Sequence, residues 1–381
     1  MQVSHFKSAG RLITGQGATA SLKDELLRLN IRKPFVVTDP GVYQSGALEH
    51  ILCQLEKDVA VYKDIPPEPE IEVIENCLAE FNANAFDGII AVGGGSAIDS
   101  AKVLAVAASQ QGDIASLFGT DQVKGRHIPL IAIPTTAGTG SEVTNIAILS
   151  DPAEQLKKGI VSDYLLPDVA IVSPEMTLSC PKSVTAASGI DALVHAIESY
   201  LSVHANAVTD ALAIKAMQLI YPALPKAYAR GDNIQAREHM ATGSLLAGLA
   251  FGNAGVGAVH ALAYPLGGRY HLSHGLSNAV MLPHVLQWNL MASRERFTDI
   301  AAAIGLPSHG RSQQEIGQSV VDAITTLCRE VEIPARLREF SIQENDIPLL
   351  AREASKVTRL LSNNPRALSE SDIERIYRAA Y

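Results

Sequence analysis

Cysteine is scarce in this chain: four residues in 381, Cys53, Cys77, Cys180 and Cys328. They lie too far apart for a zinc or dithiol motif and are too few for a disulfide scaffold. Aromatic residues make up only 5% of the sequence, which argues against an all-β sandwich. A basic excess is absent as well: 31 Lys and Arg face 40 Asp and Glu, a net charge of −9, with the two signs interspersed. Without a Lys/Arg stripe to neutralise phosphates, nucleic acid is not an expected partner. The run Met1-Gln2-Val3-Ser4-His5-Phe6-Lys7 lacks the basic-then-apolar order of a secretion signal, so a cytoplasmic protein is expected. From His239 to Gly268 there is no Asp, Glu, Lys or Arg. That stretch holds many glycines, Asn253, His260 and Pro265, and reads as a buried helix and loop around a site rather than a membrane span.

What is present is apolar substance, 47% of the residues, enough for a large core and two domains. The first half alternates short β-branched runs with helical stretches. Strands are expected at Pro34–Thr38, Asp58–Tyr62, Gly88–Val92, Pro129–Ile133 and Val169–Val172, with helices at Ile71–Asn82 and Ser96–Ser109. Such alternation predicts a mostly parallel, Rossmann-like sheet covered by helices. After Ser173-Pro174-Glu175 the periodicity is helical to the end. The expected design is an α/β domain over residues 1–182 and an all-helical domain over 183–381, with an active site in a cleft between them.

Three loops at expected strand ends carry chemistry. Gly93-Gly94-Gly95-Ser96-Ala97-Ile98-Asp99 stands where a buried strand hands over to a helix. Three residues without Cβ and a helix N-terminus with free N–H groups suit a pyrophosphate. The structural alternative is a tight turn in which Ser96 and Asp99 form a capping box. Asp39 ends the first clear strand, where a carboxylate can accept hydrogen bonds from ribose hydroxyls and repel an added 2′-phosphate; the alternative is an ordinary Asp-Pro-Gly turn, and if the cofactor is nicotinamide-based the residue favours NAD(H) over NADP(H). Pro134-Thr135-Thr136-Ala137-Gly138-Thr139-Gly140-Ser141-Glu142 is a polar, closely approachable loop after another buried strand.

In the second half, Asp191 and His195 are four residues apart in a helical pattern, so both face the same way. The alternative is a simple Asp–His hydrogen bond or a core histidine. His260 lies in an uncharged segment and needs a partner if buried; His274 follows in Leu272-Ser273-His274-Gly275. One carboxylate and three imidazoles would suit Fe2+ or Zn2+ better than magnesium or calcium. His204, His239, His271 and His284 compete for the same roles.

These motifs, in this order, resemble the iron-containing (group III) alcohol dehydrogenases. The similarity takes in the two cofactor loops, Asp191-Ala192-Leu193-Val194-His195-Ala196-Ile197-Glu198, the His260 to Gly275 segment, Asn364-Pro365-Arg366 and the last helix. The resemblance implies a dehydroquinate-synthase-like α/β domain plus a helical domain, and a homodimer or larger homo-oligomer. It implies Asp191, His195, His260 and His274 as metal ligands, and Asp39, Gly95, Ser96, Thr135, Thr136 and Lys157 as nicotinamide-cofactor contacts. The implied reaction is hydride transfer between NAD(H) and a small alcohol or aldehyde.

Two positions depart from the family pattern. Many members carry a second histidine four residues after the third ligand; here Tyr264 stands there, and a phenol with an ordinary pKa near 10 is a different proton shuttle. His271 is the other candidate for that role. A cofactor-side asparagine common in the family is Glu68, in Pro67-Glu68-Pro69. Two other functions fit the scaffold: a lyase that uses NAD transiently, and a sensor that binds cofactor without chemistry. The lyase would need basic residues around a phosphorylated substrate, and the motif segments are poor in them.

Overall fold

Every residue of Gly88–Gly93 is buried, as a strand covered by helices on both faces must be. In the computed structural model, which describes residues 3–110, 112–151 and 156–381, this strand is β4. The strands run β1 (Leu12–Thr14), β2 (Pro34–Val37), β3 (Ala60–Tyr62), β4, β5 (Gly119–Thr120), β6 (Leu130–Pro134), β7 (Ile146–Asp151), β8 (Leu156–Val161) and β9 (Val169–Val172). Six of them form one sheet in the order β1-β9-β6-β4-β2-β3, parallel at every pairing. The helices of this half are α1 (Leu22–Arg28), α2 (Pro40–Ser45), α3 (Glu49–Leu52), α4 (Ile71–Asn82) and α5 (Gly95–Ala107).

Alternate residues of the central strands enter opposite cores. Ile90 and Val92 pack with Leu22, Leu26 and Ile51 on one face, while Ile89 and Ala91 pack with Phe35, Ile98 and Leu104 on the other. Each fully buried Val, Leu, Ile or Phe among them contributes about 1.5–3 kcal/mol. Strand order reverses between β2 and β4, since β3 lies on one side of β2 and β4 on the other. In parallel sheets the carboxyl ends at such a switch point open a ligand crevice. Asp39 follows β2 there, and the glycine loop ends β4.

The five strands expected from the sequence are present with ends shifted by a residue or two. Asp58 and Val59 fall outside β3 because the chain turns there, Val59 N–H donating to Glu56. Helix α5 begins at Gly95, and its N-cap, Gly94, makes no side-chain cap bond. The capping-box alternative for Ser96 and Asp99 is therefore set aside. Unforeseen were β1, three residues at the sheet edge, and a second sheet of order β5-β8-β7 whose β7–β8 pair is antiparallel.

A buried lysine joins α5 to that second sheet. Lys102 is fully buried and donates to Ser141 Oγ (2.9 Å), Thr144 Oγ1 (3.1 Å) and the Ile146 carbonyl (2.9 Å). Asp99, one turn earlier, lies 3.6 Å from Lys102 Nζ and accepts from Ser141 Oγ and from Ile148 N–H (3.0 Å). Glu142 is buried beside them; burial pushes its carboxyl up to about 7 against the pull of its own backbone and of Lys102.

By close contacts the chain divides into two units, Phe6–Pro181 with Gly231–Leu245, and Lys182–Arg230 with Leu246–Tyr381. The second is helical: α6 (Lys182–Leu201), α7 (Ala207–Ala229), the end of α8 (Ile234–Ala254), α9 (Ala258–Tyr270), α10 (His274–Asn289) and the later helices. Among the described residues no strand falls after Val172. The uncharged stretch lies within α8 and α9, broken at residues 255–257, and no single helix among the described residues is long and apolar enough to cross a membrane.

Glu142 supplies a test of the buried cluster. A carboxyl whose pKa is higher folded than unfolded loses its stabilising contribution as pH rises from the unfolded value near 4.5 through about 7. Glu142→Gln removes that loss, so its melting temperature relative to the parent should rise by a few degrees between pH 5 and pH 8. Equal differences at the two pH values would show that Glu142 is not held protonated by the fold.

Candidate metal and cofactor sites

Helix α6 supplies two donors by its own periodicity: Asp191 and His195, one turn apart and 1% and 3% exposed. His260, 3% exposed, comes from the first turn of α9, and His274 begins α10. One ligand atom from each of the four lies within 4.8 Å of all the others. His195 Nε2 and His260 Nε2 are 3.0 Å apart, and Asp191 Oδ1 stands 3.9 Å from His260 Nε2 and 3.8 Å from His274 Nε2. Donors around a tetrahedral metal with bonds of about 2.1 Å are about 3.4 Å apart, so these spacings bracket such a site.

The ring of His260 is oriented from behind. Glu198, buried on α6, places Oε2 2.7 Å from His260 Nδ1 and accepts the Val259 N–H at Oε1 (2.6 Å). A carboxylate at Nδ1 fixes the proton there and leaves the Nε2 lone pair facing His195. Two imidazole nitrogens at that separation repel unless a proton or cation lies between them, which is the donor chemistry a metal ion satisfies. Burial on its own would raise the pKa of Asp191. The three imidazoles and Asn278, donating from Nδ2 at 2.6 Å, outweigh burial and hold it below the ordinary carboxylate range.

Packing holds the donors in place. The ring of Phe251 stacks on His195 at a centroid distance of 4.1 Å. A Cβ on Gly275 would meet the Ala187 carbonyl oxygen of α6 at 2.5 Å, so only glycine lets α10 bring His274 so close to Asp191. At the start of α9, Asn364 Oδ1 accepts the Ala258 N–H (3.4 Å), and its amide exchanges hydrogen bonds with Asn289.

The other histidines lie outside this cluster. His204 and His239 are exposed. His284 is half-buried, and burial, with Arg336 adding to it, pushes its pKa down to about 4. His271 is exposed and caps α9 in the left-handed backbone region, φ 53°. Tyr264, one turn beyond His260 on α9, is half-buried with its ring 6.4 Å from that of His274.

At the carboxyl edge of the large sheet the structure gathers most of the expected cofactor residues. A Cβ on Gly93 would stand 3.0 Å from Asp39 Oδ2, one on Gly94 3.4 Å from Thr136, and one on Gly95 2.7 Å from Thr139. The glycines thus let three loops close on one another. Asp39 caps α2, accepting the Val42 N–H at 2.9 Å through Oδ1. Thr135 is buried, and its N–H donates to the Gly93 carbonyl (3.0 Å). Ser96 Oγ accepts the Glu68 N–H (3.2 Å), and Lys157 pairs with Glu68. Asp99 pairs with Lys102 and accepts from Ser141.

The sequence alone assigns no individual role to Glu198, Asn278 or Lys102. Glu198 is seven residues after Asp191 and three after His195, and Asn278 is four after His274, so both share a helix face with a ligand. That spacing was the available signal. Lys102 looks like any helical lysine until the fold buries it.

A transition-metal donor set in a helical unit, following a parallel α/β unit with a glycine loop, defines the class by fold and site. The family model for iron-containing alcohol dehydrogenases matches residues 9–174, and that for the C-terminal part of the Fe-containing alcohol dehydrogenase family matches 185–381. The chain belongs to the iron-containing alcohol dehydrogenase family and is an oxidoreductase of that kind. It is 45% identical over 373 residues to long-chain-alcohol dehydrogenase 1 of Geobacillus thermodenitrificans, covering 96% of this chain and 94% of that one. With the NAD-dependent methanol dehydrogenase of Bacillus methanolicus it shares 37% over 371 residues, 97% of each. A crystal structure of 1,3-propanediol oxidoreductase superposes with a TM-score of 0.96 at 38% identity, covering 100% of both chains. These relatives lend no support to the lyase or the sensor.

The Glu198 contact predicts a loss of metal affinity. Glu198→Gln should weaken Fe2+ or Zn2+ binding about 10–100-fold in a chelator competition. Unchanged affinity would reduce Glu198 to a packing residue.

Proposed function

We propose that this protein is an NAD(H)-linked, metal-dependent alcohol dehydrogenase and aldehyde reductase, holding Fe2+ between Asp191, His195, His260 and His274. Zn2+ is compatible with the same donors. The observation that carries the reading is the convergence of one ligand atom from each of these four residues within 4.8 Å, with Asp191, His195 and His260 buried. A divalent ion held there supplies Lewis acidity toward an alcohol or carbonyl oxygen. The chain's own residues do the rest. Glu198 keeps His260 in the tautomer that presents Nε2, and Phe251 keeps the His195 ring in plane.

In the same reading residues 1–182 bind the dinucleotide and 183–381 the metal. The N-terminus of α5, opened by Gly93, Gly94 and Gly95, takes the diphosphate with help from Ser96, Thr135 and Thr136. Asp39 has one oxygen committed to Val42 and the other beside Gly93, placed to accept from a ribose hydroxyl and to reject a 2′-phosphate. That supports NAD(H), the cofactor named for the methanol dehydrogenase relative. Lys157 adds a cation. Tyr264 is assigned as the hydrogen-bond donor beside the substrate oxygen, since it stands next to His274 whereas His271 is exposed and outside the cluster.

Anaerobically iron-loaded protein should oxidise NADH with short aldehydes. Asp191→Ala should lose its bound metal and at least about 100-fold of that activity. Turnover that survives loss of the metal would overturn the proposal. Tyr264→Phe should bind metal as the parent does while kcat falls about tenfold or more. An unchanged kcat would remove Tyr264 from the reaction.

A further inference from the structure

Glu68 occupies an unusual position for a glutamate. Its backbone lies in the left-handed region, φ 56°, which non-glycine residues seldom adopt, between Pro67 and Pro69. Two hydrogen bonds fix the segment: Glu68 N–H to Ser96 Oγ (3.2 Å), and Ser150 N–H to the Pro69 carbonyl (2.9 Å). Ser150 on β7 is also the register partner of Lys157 on β8. The lysine and the segment bearing Glu68 are thus held by the same strand pair, and Lys157 Nζ meets Glu68 Oε1 at 2.6 Å. The Lys157 side chain is only 7% exposed, so it needs a counter-ion, and Glu68 is one. Through its main chain that same residue touches the second residue of α5, at the helix end with free N–H groups.

We propose that Glu68 sets the strength of dinucleotide binding by holding Lys157 as an ion pair beside the N-terminus of α5. The cofactor's diphosphate must exchange that pair for its own contact with Lys157. This rests on the cofactor reading above and adds a residue that works against binding. Two anions, the Glu68 carboxylate and the diphosphate, compete for one nearly buried cation. The pair keeps the lysine satisfied in the free protein, and the same competition favours release of the cofactor after turnover.

Calorimetric titration with ADP-ribose, which carries the diphosphate and lacks the nicotinamide ring, tests this at fixed salt. The proteins are the parent, Glu68→Gln, Glu68→Asn, Lys157→Met and the double variant Glu68→Gln/Lys157→Met. Glutamine keeps the main-chain bond to Ser96, and asparagine tolerates the left-handed backbone. Either Glu68 change should tighten binding about tenfold, the scale of one charge-assisted hydrogen bond. Lys157→Met should weaken it, and the double variant should bind no better than Lys157→Met alone. Unchanged or weaker binding in both Glu68 variants would overturn the proposal. So would a gain that persists without Lys157, since that is direct repulsion rather than exchange. In either case a parent that binds ADP-ribose leaves the cofactor reading standing. A parent that binds neither ADP-ribose nor NADH would bring down that reading, and this proposal with it.

Discussion

The helical unit is organised by the need to bury one carboxylate. Asp191 is 1% exposed, and an isolated ionised carboxylate in that setting is unfavourable by several kcal/mol. Its neighbours answer that cost: three imidazoles drawn from α6, α9 and α10, and the amide of Asn278. Each comes from a different turn or helix, so the requirement reaches the backbone. Gly275 has to be glycine for α10 to approach the Ala187 carbonyl, and α9 has to begin where Asn364 and Glu198 can accept its first N–H groups. Local chain choices tens of residues apart are thereby tied to one point.

The α/β unit solves a related problem with the opposite charge. Lys102 is fully buried, surrounded by Ser141, Thr144, the Ile146 carbonyl and Asp99. Burial lowers its pKa, and Asp99 and Glu142 pull it back up. The cluster fastens the loop after β6 to α5. A ligand loop that must let atoms approach closely has few side chains of its own to stabilise it. The compensating contacts lie one layer down, and Asp99 belongs to that layer.

How much of this could be read from residues alone follows from where the information sits. The central strands were legible because burial on both faces leaves an uninterrupted apolar run, as in Gly88-Ile89-Ile90-Ala91-Val92. The edge strand Leu12–Thr14 has only three residues, two of them exposed, and its pairing with β9 is a property of the sheet rather than of the tripeptide. The β7–β8 pair was missed for a similar reason: Leu156-Lys157-Lys158-Gly159-Ile160-Val161 carries two lysines and a glycine, and its partner strand decides its conformation. At the candidate metal site, four side chains stood out by type and spacing. Nothing in the order of residues said that His260 would come within 3.0 Å of His195, or that Glu198 would stand behind it.

The two sites differ in kind, and so does what substitution does to each. The candidate metal cluster is made of side chains, each identifiable by its letter. The proposed cofactor edge is made largely of backbone N–H groups and of space, and its letters say mainly which atoms are missing. Specificity at such an edge falls to the few charged groups that border it. Here these are Asp39, with one oxygen held by Val42, and the Glu68–Lys157 pair. In the proposed cofactor reading Asp39 acts by position, since one of its carboxylate oxygens is held by the helix it caps. In the exchange proposed above, Glu68 and Lys157 act by competition, because their charges cancel until a third one arrives. On that proposal the same backbone loop binds a dinucleotide tightly or loosely without any change in its glycines.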